Sequence, residues 1–375
     1  MKLTVEKHHL ASALDYVARV VERRNTIPIL SNLLLSAAPG KLEVRATDLD
    51  LEVSSEVTAE VDEPGHVTVN ADTFEKLVKK LPDGCLISLD EKAGAEKDGL
   101  TLKAGRSRVK LLTLDAMDFP SLAAGEFQCS MTVPAHMLAG LFDRVGFAVS
   151  TEETRYYLCG IYLHLFKIGG SLVIRGVATD GHRLALHQFT APEGADGMPG
   201  VIVPRKAVGE IGKILKGRGK QDVLLEVSPT KLRLSAGATV LTTKLIDGTF
   251  PDYERVIPSG NNLVAVLERE SVAAAADRVA TVASERGRGI KLTFSEDRLC
   301  ISAKNPDTGD ASEEIDAQFD GAIDIGVNSK YLAETLRMVD GEKVRLAMAD
   351  PGSPMLFQAD GGTGDSLLVL MPMRV

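Results

Sequence analysis

The sequence predicts an α+β protein of three similar domains, each with two helices packed against β-sheets. Two sets of repeated segments and one recurring hairpin carry that reading. The segments "VEKHHLASALDYVARVVE" (5–22), "VPAHMLAGLFDRVGFAVS" (133–150) and "LERESVAAAADRVATVAS" (267–284) each begin extended, then place apolar residues at helical spacing. A second set, at 67–89, 201–227 and 323–348, reads each time as strand, short helix, Gly-containing break and strand. The period is regular: Val5 to Val133 is 128 residues and Val133 to Leu267 is 134, while Val69 to Val203 is 134 and Val203 to Val327 is 124. Six segments in one fixed order mark an internal repeat.

In chain order, the helical windows are 7–24, 72–80, 134–149, 204–220, 270–288 and 328–340. Between the two helices of each repeat lies a stretch of period-2 alternation turning at Gly or Asp. The three are "LLLSAAPGKLEVRATDLDLEVSSEV", "IYLHLFKIGGSLVIRGVATDGHRLALHQF" and "IKLTFSEDRLCISAKNPDTGDASEEIDAQF". Each repeat closes on a further β pair, at 100–114, 232–246 and 355–371. Turn residues in "AAGEFQ" and "PSGNN" put the boundaries near 126 and 260, giving domains 1–126, 127–260 and 261–375.

Composition narrows the function. Of 375 residues, 44% are apolar and 25% charged, as in an ordinary globular chain. No apolar run approaches the ~20 residues of a membrane span. The start "MKLTVEKHHL" has no apolar signal region, and Cys85, Cys129, Cys159 and Cys300 lie far apart with no CxxC spacing. A cytoplasmic protein with reduced thiols, and no membrane partner, is expected.

The net charge of −9 argues at first against nucleic acid, but the charge is segregated. The six helical windows hold 19 Lys/Arg against 11 Asp/Glu, and the rest of the chain 24 against 41. The window 204–220 alone is +5. Such segregation suits a polyanion contacted through its phosphates, without sequence reading. No aromatic ladder accompanies the charges, so stacking on single-stranded bases is not expected.

The stretch "ATDGHRLAL" (178–186) sets Asp180, His182 and Arg183 within four positions, which resembles active-site chemistry. The repeats weaken that reading. The matching stretch is "ATDLDLEVS" (46–54) in the first repeat and "AKNPDTGDAS" (303–312) in the third, neither with His. Asp180-Gly181 is good turn chemistry. No GxSxG elbow, HExxH, Walker A or GxGxxG loop is present, and His182 and His187, five apart on a predicted strand, would face opposite ways. No catalytic residue, metal or cofactor is therefore expected. Two alternatives stay open at this point: a hydrolase centred on the 180–183 stretch, and a structural β-repeat scaffold forming open assemblies.

The chain resembles the bacterial DNA polymerase III beta subunits, the processivity sliding clamps. The resemblance rests on "IPILSNLLL" (27–35), "GRSR" (105–108), "RYYLCG" (155–160), "VATDGHRLA" (177–185), "VIVPRK" (201–206), "DGTFPDYERVIP" (247–258) and "MPMR" (371–374), in the family's order along the whole chain. It implies a non-catalytic protein and a head-to-tail homodimer. Three DNA-clamp domains would form half of a six-domain ring, with twelve helices around sequence-independent, encircled double-stranded DNA. It further implies DNA replication partners: the polymerase III alpha subunit, the clamp loader through its delta subunit, translesion polymerases, a mismatch repair protein and ligase. The location implied is cytoplasmic, at the nucleoid during replication.

Carried over residue by residue, the resemblance implies a peptide-binding pocket of Leu158, Thr179, Gly181, His182, Arg183, Leu184, Pro251, Arg255, Val256, Val369, Met371, Pro372, Met373 and Arg374. Leu, Val and Met offer an adaptable apolar surface for a peptide with apolar and Gln side chains, and His and Arg offer donors at its rim. The alternative for "MPMRV" is an edge strand with a frayed end. DNA-facing residues implied are Arg24, Lys79, Tyr156, Lys206, Arg286 and Arg288; charge and helix position add Lys80, Lys213 and Lys216. Asp72, Glu152 and the glycines flanking Arg288 depart from the family's pattern. The dimer contact is expected from Val109 and Leu111 on one chain and Thr281 and Val282 on the other, with Leu111 alternatively a core residue.

Overall fold

The structure, a computed structural model, describes residues 1–22, 26–91, 99–122, 125–284 and 288–375. Each predicted helical window holds a helix: α1 (Lys7–Val17), α2 (Ala71–Lys80), α3 (Ala135–Gly146), α4 (Arg205–Leu215), α5 (Arg269–Ala280) and α6 (Ser329–Arg337). The first helix of every repeat buries the same spacing of side chains. These are Leu10, Ala13, Leu14 and Val17 in α1; Leu138, Leu141, Phe142 and Val145 in α3; Val272, Ala275, Ala276 and Val279 in α5. Two of the second helices, α2 and α6, start from an Asn cap at the end of a strand. The Asn70 side chain accepts from Thr73 N at 3.0 Å, and Asn328 from Lys330 N at 3.0 Å, each cap contributing about 1 kcal/mol. Five of the six expected windows ran past the C-termini of their helices, while 72–80 ends with α2 at Lys80. In α4 the physical reason is plain: Gly217 and Gly219, at φ +80° and +53°, take the chain out of the helix.

The chain packs as two compact units, one of 1–139, 192–199 and 209–245, the other of 140–191, 200–208 and 246–375. These limits differ from the expected 126 and 260 because continuous sheets run from one repeat into the next. In the first unit, Thr239–Lys244 pairs with Leu51–Thr58, Leu241 opposite Val53, inside an eight-stranded antiparallel sheet. In the second, Ser366–Leu370 pairs with Arg183–Thr190, Leu368 opposite Ala185, inside another. The last strand of one repeat thus docks on the hairpin strand of the repeat before it.

Among the described residues, two strands have no such neighbour. Ser107–Leu111, the last strand of the first repeat, edges a five-stranded sheet. Gly309–Asp316, the hairpin strand of the third repeat, edges a four-stranded one. Unpaired edges of this kind are pairing templates.

Candidate functional site

The 178–186 stretch folds as a turn, not a catalytic cluster. Asp180 Oδ1 accepts from His182 N at 2.9 Å and Arg183 N at 3.0 Å, and Thr179 Oγ1 accepts from Gly181 N at 3.1 Å. The first repeat builds the same turn without His: Asp48 Oδ1 accepts from Asp50 N and Leu51 N, and Thr47 Oγ1 from Leu49 N. Gly181 sits at φ +90°, and its counterpart Leu49 is held at +82°. His182 lies in the bend before the strand and not on it, so the expected opposition to His187 does not arise. Its ring instead stacks on Tyr331, centroids 5.8 Å apart.

Arg183, expected at the rim, is turned inward and only 8% exposed. It donates to Asp180 Oδ2 at 3.1 Å, to the Phe147 carbonyl at 2.7 Å and to the Glu334 carboxylate. Its guanidinium also lies 4.6 Å from the Tyr331 ring. Phe147 lies just past α3 and Glu334 on α6, so Arg183 ties the second repeat to the third.

Behind the turn, one face of the eight-stranded sheet carries three cross-strand rows. The row nearest the turn is Thr179, Leu184, Val369 and Leu356; the next is Tyr162, Val177, Leu186 and Leu367; the innermost is His164, Arg175 and Gln188. The opposite face packs on α3, where a Cβ on Gly176 would come within 2.4 Å of Leu141. Leu158, Val177, Leu184, Leu186, Ile202, Phe250, Tyr253 and Val369 form one apolar cluster, with Tyr157, Tyr162, Ile246, Leu356 and Leu367 half-buried against it.

The segment 247–257 covers part of this face. Phe250 stacks on Tyr162, ring centroids 5.0 Å apart, and Tyr253 is buried, which leaves Pro251, Arg255 and Val256 exposed along its outer edge. Arg255 pairs with Asp252 at 2.7 Å. The C-terminal tail is anchored, not frayed. Met371 N donates to the His182 carbonyl at 2.8 Å and Met373 N to the Gly326 carbonyl at 2.8 Å. Gly326 lets the tail lie close on the strand, since a Cβ there would clash with the Met373 carbonyl. Met371 thus sits beside the turn, whereas Met373 lies on the third repeat's own sheet; Pro372 is half-buried between them and Arg374 exposed.

The residues expected to face DNA divide by what they already hold. Arg24 and Arg286 lie outside the described residues. Lys79 bridges α2 to α1, with Asp15 at 2.9 Å and Glu75 at 2.8 Å, and these carboxylates raise its pKa above the usual lysine value. Lys213 pairs with Glu210 at 2.7 Å. Lys80, Lys206, Lys216 and Arg288 have exposed side chains. Arg288, at φ +46°, opens with Lys330 and Arg337 onto a hollow of about 420 Å³ between α5 and α6. Tyr156 is exposed on the turn Glu153–Leu158, its ring against Gly248 of the covering segment. Glu152 is engaged by Thr154 and Arg155, whose hydrogen bonds hold its carboxyl below the usual range.

At the proposed contact between chains, Val109 is half-buried, and Leu111 is a core residue whose backbone alone lies on the edge. Thr281 is exposed and Val282 half-buried just past α5. The Val282 carbonyl accepts from Thr308 Oγ1 at 2.7 Å, at the start of the other free edge.

Family models of the DNA polymerase III beta subunit match the chain three times: the N-terminal domain over 1–123, the central domain over 132–252 and the C-terminal domain over 254–374. A beta sliding clamp of Caulobacter vibrioides is 46% identical over 376 residues, covering all of both chains. Among solved structures, a sliding clamp (DNA polymerase III subunit beta) from Bartonella birtlesii bound to griselimycin is 43% identical, with a TM-score of 0.96 over both full chains. A Caulobacter crescentus pol III beta is 45% identical, with a TM-score of 0.95, again over both full chains.

The chain belongs to the DNA polymerase III beta subunit family.

It is accordingly a DNA sliding clamp, a non-catalytic processivity factor. The hydrolase and scaffold readings end here. Several residues of the clamp's sheet face escaped the sequence reading. Val177, Leu186, Ile202, Phe250 and Tyr253 belong to the cluster, yet alternation marks them only as strand or loop apolar residues. Arg155 was missed too: its side chain donates to the Asp180 carbonyl at 3.1 Å and braces the turn. The signal that could have found Phe250 is the repeat itself, because Phe119-Pro120 stands in the first repeat where Phe250-Pro251 stands in the second, and both phenylalanines are buried.

Proposed function

We propose that this clamp acts as a head-to-tail homodimeric ring around duplex DNA, tethering the replicative polymerase and other replication and repair proteins through the groove on its sheet face. The observation carrying the ring is the pair of unmatched edges. Twice within the chain, the last strand of one repeat pairs with the hairpin strand of the repeat before it, with Leu241 opposite Val53 and Leu368 opposite Ala185. Applying the same register to Ser107–Leu111 sets Val109 opposite Ala311 of the partner subunit and Lys110 opposite Asp310 of the partner subunit. The charges suit this pairing: Lys103, Arg106, Arg108 and Lys110 crowd one edge, and Asp310, Glu313, Glu314 and Asp316 the other. Val282, bonded through its carbonyl to Thr308, lies at the end of the second edge. Two copies satisfy both edges, and a heterologous contact that closes makes a ring.

In that ring the repeats act as domains 1–126, 127–260 and 261–375. The helices face DNA, and Lys80, Lys206, Lys216 and Arg288 supply exposed charges that contact phosphates without reading sequence. Topology, rather than tight binding, then provides processivity. The groove bounded by Leu158, Thr179, Gly181, His182, Leu184, Val369 and Met371, with Pro251, Arg255 and Val256 at its outer edge, takes a short peptide with apolar and Gln side chains. A relative crystallised with griselimycin supports a ligand-binding surface of this kind. Occupants by this reading are the polymerase III alpha subunit, the clamp loader's delta subunit, translesion polymerases, mismatch repair protein and ligase, in the cytoplasm at the nucleoid.

The test is retention on nicked circular DNA against the same DNA linearised, with clamp loader and ATP supplied. Retention on circles with loss from linear ends is expected. Equal retention on both would replace encirclement with ordinary phosphate binding.

A further inference from the structure

The innermost row of the sheet face is polar, buried and joined to the segment covering the groove. Arg175 is 7% exposed and has no carboxylate partner among the described residues. It donates through Nε to Gln188 Oε1 at 2.9 Å and through a terminal nitrogen to the Tyr253 hydroxyl at 3.0 Å, and its guanidinium lies over the Phe166 ring. The Tyr253 hydroxyl is also 3.1 Å from His164 Nε2, and His164 Nδ1 is 2.9 Å from the Leu165 carbonyl. The donors and acceptors settle every proton here. A carbonyl can only accept, so Nδ1 carries the hydrogen of a neutral ring; Nε2 then accepts from the tyrosine, whose oxygen accepts from Arg175.

We propose that Arg175, Tyr253 and His164 form a buried latch that sets the position of segment 247–257, and that acid opens it and weakens peptide binding. Tyr253 is the latch's point on the segment. Three residues before it, Phe250 stacks on Tyr162, which itself stacks on His164 with centroids 4.5 Å apart. The groove's outer edge, Pro251 to Val256, is therefore held by one continuous stack and hydrogen-bond chain. Burying a guanidinium without a counter-charge is costly, and the tyrosine hydroxyl and amide carbonyl offset that cost only while the chain is intact.

Protonation of His164 breaks the chain, because both ring nitrogens become donors and the tyrosine hydroxyl loses its acceptor. It also places a second cation beside Arg175. The groups facing His164 are Tyr162 and Phe166 on its own strand, Arg175 on the next, and Tyr253 with Glu254 on the covering segment. Burial, and then Arg175, hold its pKa below the usual histidine value, against the opposing pull of the Leu165 carbonyl and Glu254. The latch is therefore closed at neutral pH and opens only below the usual histidine range. These are positioning residues; none needs to touch the peptide.

This inference rests on the groove being the peptide site, and the experiment separates the two. Griselimycin binding to the full-length chain is measured by fluorescence or calorimetry between pH 7.5 and 4, with thermal melts at each pH. For the wild type, affinity falls as pH drops. Tyr253→Phe keeps the ring and removes the hydroxyl, and binds about tenfold more weakly at pH 7.5 with a flat pH profile, the cost of one buried hydrogen-bond link. His164→Gln supplies an acceptor that does not titrate; it binds as wild type at pH 7.5 and stays flat. Flat wild-type binding, or Tyr253→Phe and His164→Gln variants that retain the wild-type profile, would overturn the latch. Leu184→Lys is the control for the groove: if it binds griselimycin undiminished, the groove assignment fails and the latch with it.

Discussion

Removing the Arg183 side chain tests how the second and third repeats are joined. Arg183→Met keeps most of the stem volume and deletes the donors to Asp180, Glu334 and the Phe147 carbonyl. Breaking a buried ion pair by deleting one partner costs about 3–5 kcal/mol. The carboxylates left behind are not fully buried, with side-chain exposures of 15% for Asp180 and 27% for Glu334, so water recovers part of that. Asp180 also keeps its bonds to the turn through Oδ1. The expected loss is therefore at the lower end, about 3 kcal/mol, and the Phe147 carbonyl and the cation–π contact with Tyr331 are within that figure. Urea unfolding followed by far-ultraviolet circular dichroism reads it as a lower midpoint at unchanged slope. A double-mutant cycle with Glu334→Gln should return a coupling of about 1–3 kcal/mol. A loss under about 1 kcal/mol, or strict additivity in the cycle, would refute the claim that Arg183 bridges the repeats.

Three further outcomes are expected. Griselimycin should saturate at one molecule per chain in calorimetry. The equivalent sheet face of the first unit carries Arg45, Glu52 and Arg233 where the proposed peptide face has Val177, Leu184 and Leu356, and the two arginines pair with Glu43 at 3.0 Å and Glu226 at 2.5 Å; a ratio of two would contradict this. Lys110→Glu should shift the chain toward monomer in sedimentation velocity at low micromolar concentration, and Lys110→Glu combined with Asp310→Lys should restore the dimer, whereas no rescue would argue against the proposed register. His187, whose pKa is pushed down to about 4 by burial and then by Arg144, is neutral in the fold. The unfolded chain takes up its proton first, so stability is complete above about pH 6.5 and falls as pH drops toward 4, by roughly 2 kcal/mol after allowance for solvent screening. His187→Gln should remove that part of the acid loss in pH-dependent melts; an unchanged profile would show that His187 does not carry it.

The elements were legible because their signals are local. Leu10, Ala13, Leu14 and Val17 announce a helix by spacing alone, and the same spacing in α3 and α5 announces a repeat. Residue types in "ATDGHRLAL" were also enough to name a turn, since Asp accepts from backbone donors two and three residues on. The directions of side chains were not legible. Arg183 and His182 are adjacent, yet one is locked under α6 and the other stacks on Tyr331, because α6 reaches this turn from about 150 residues away. Likewise, alternation in "SRVKL" says that Leu111 and Arg108 face opposite ways, but not which face is covered.

The repeat, its helices and hairpins, and the segregation of charge onto the helical windows are all properties of residues within reach of one another along the chain, and so are written in the residue order. The tertiary structure alone decided which strand docks on which. Cross-strand register joins residues more than 180 positions apart, as in Leu241 with Val53 and Leu368 with Ala185. That register brings Leu184 beside Val369 on one sheet face and leaves Ser107–Leu111 and Gly309–Asp316 each with one unpaired edge among the described residues. Periodicity specifies a face, and only packing specifies what the face meets.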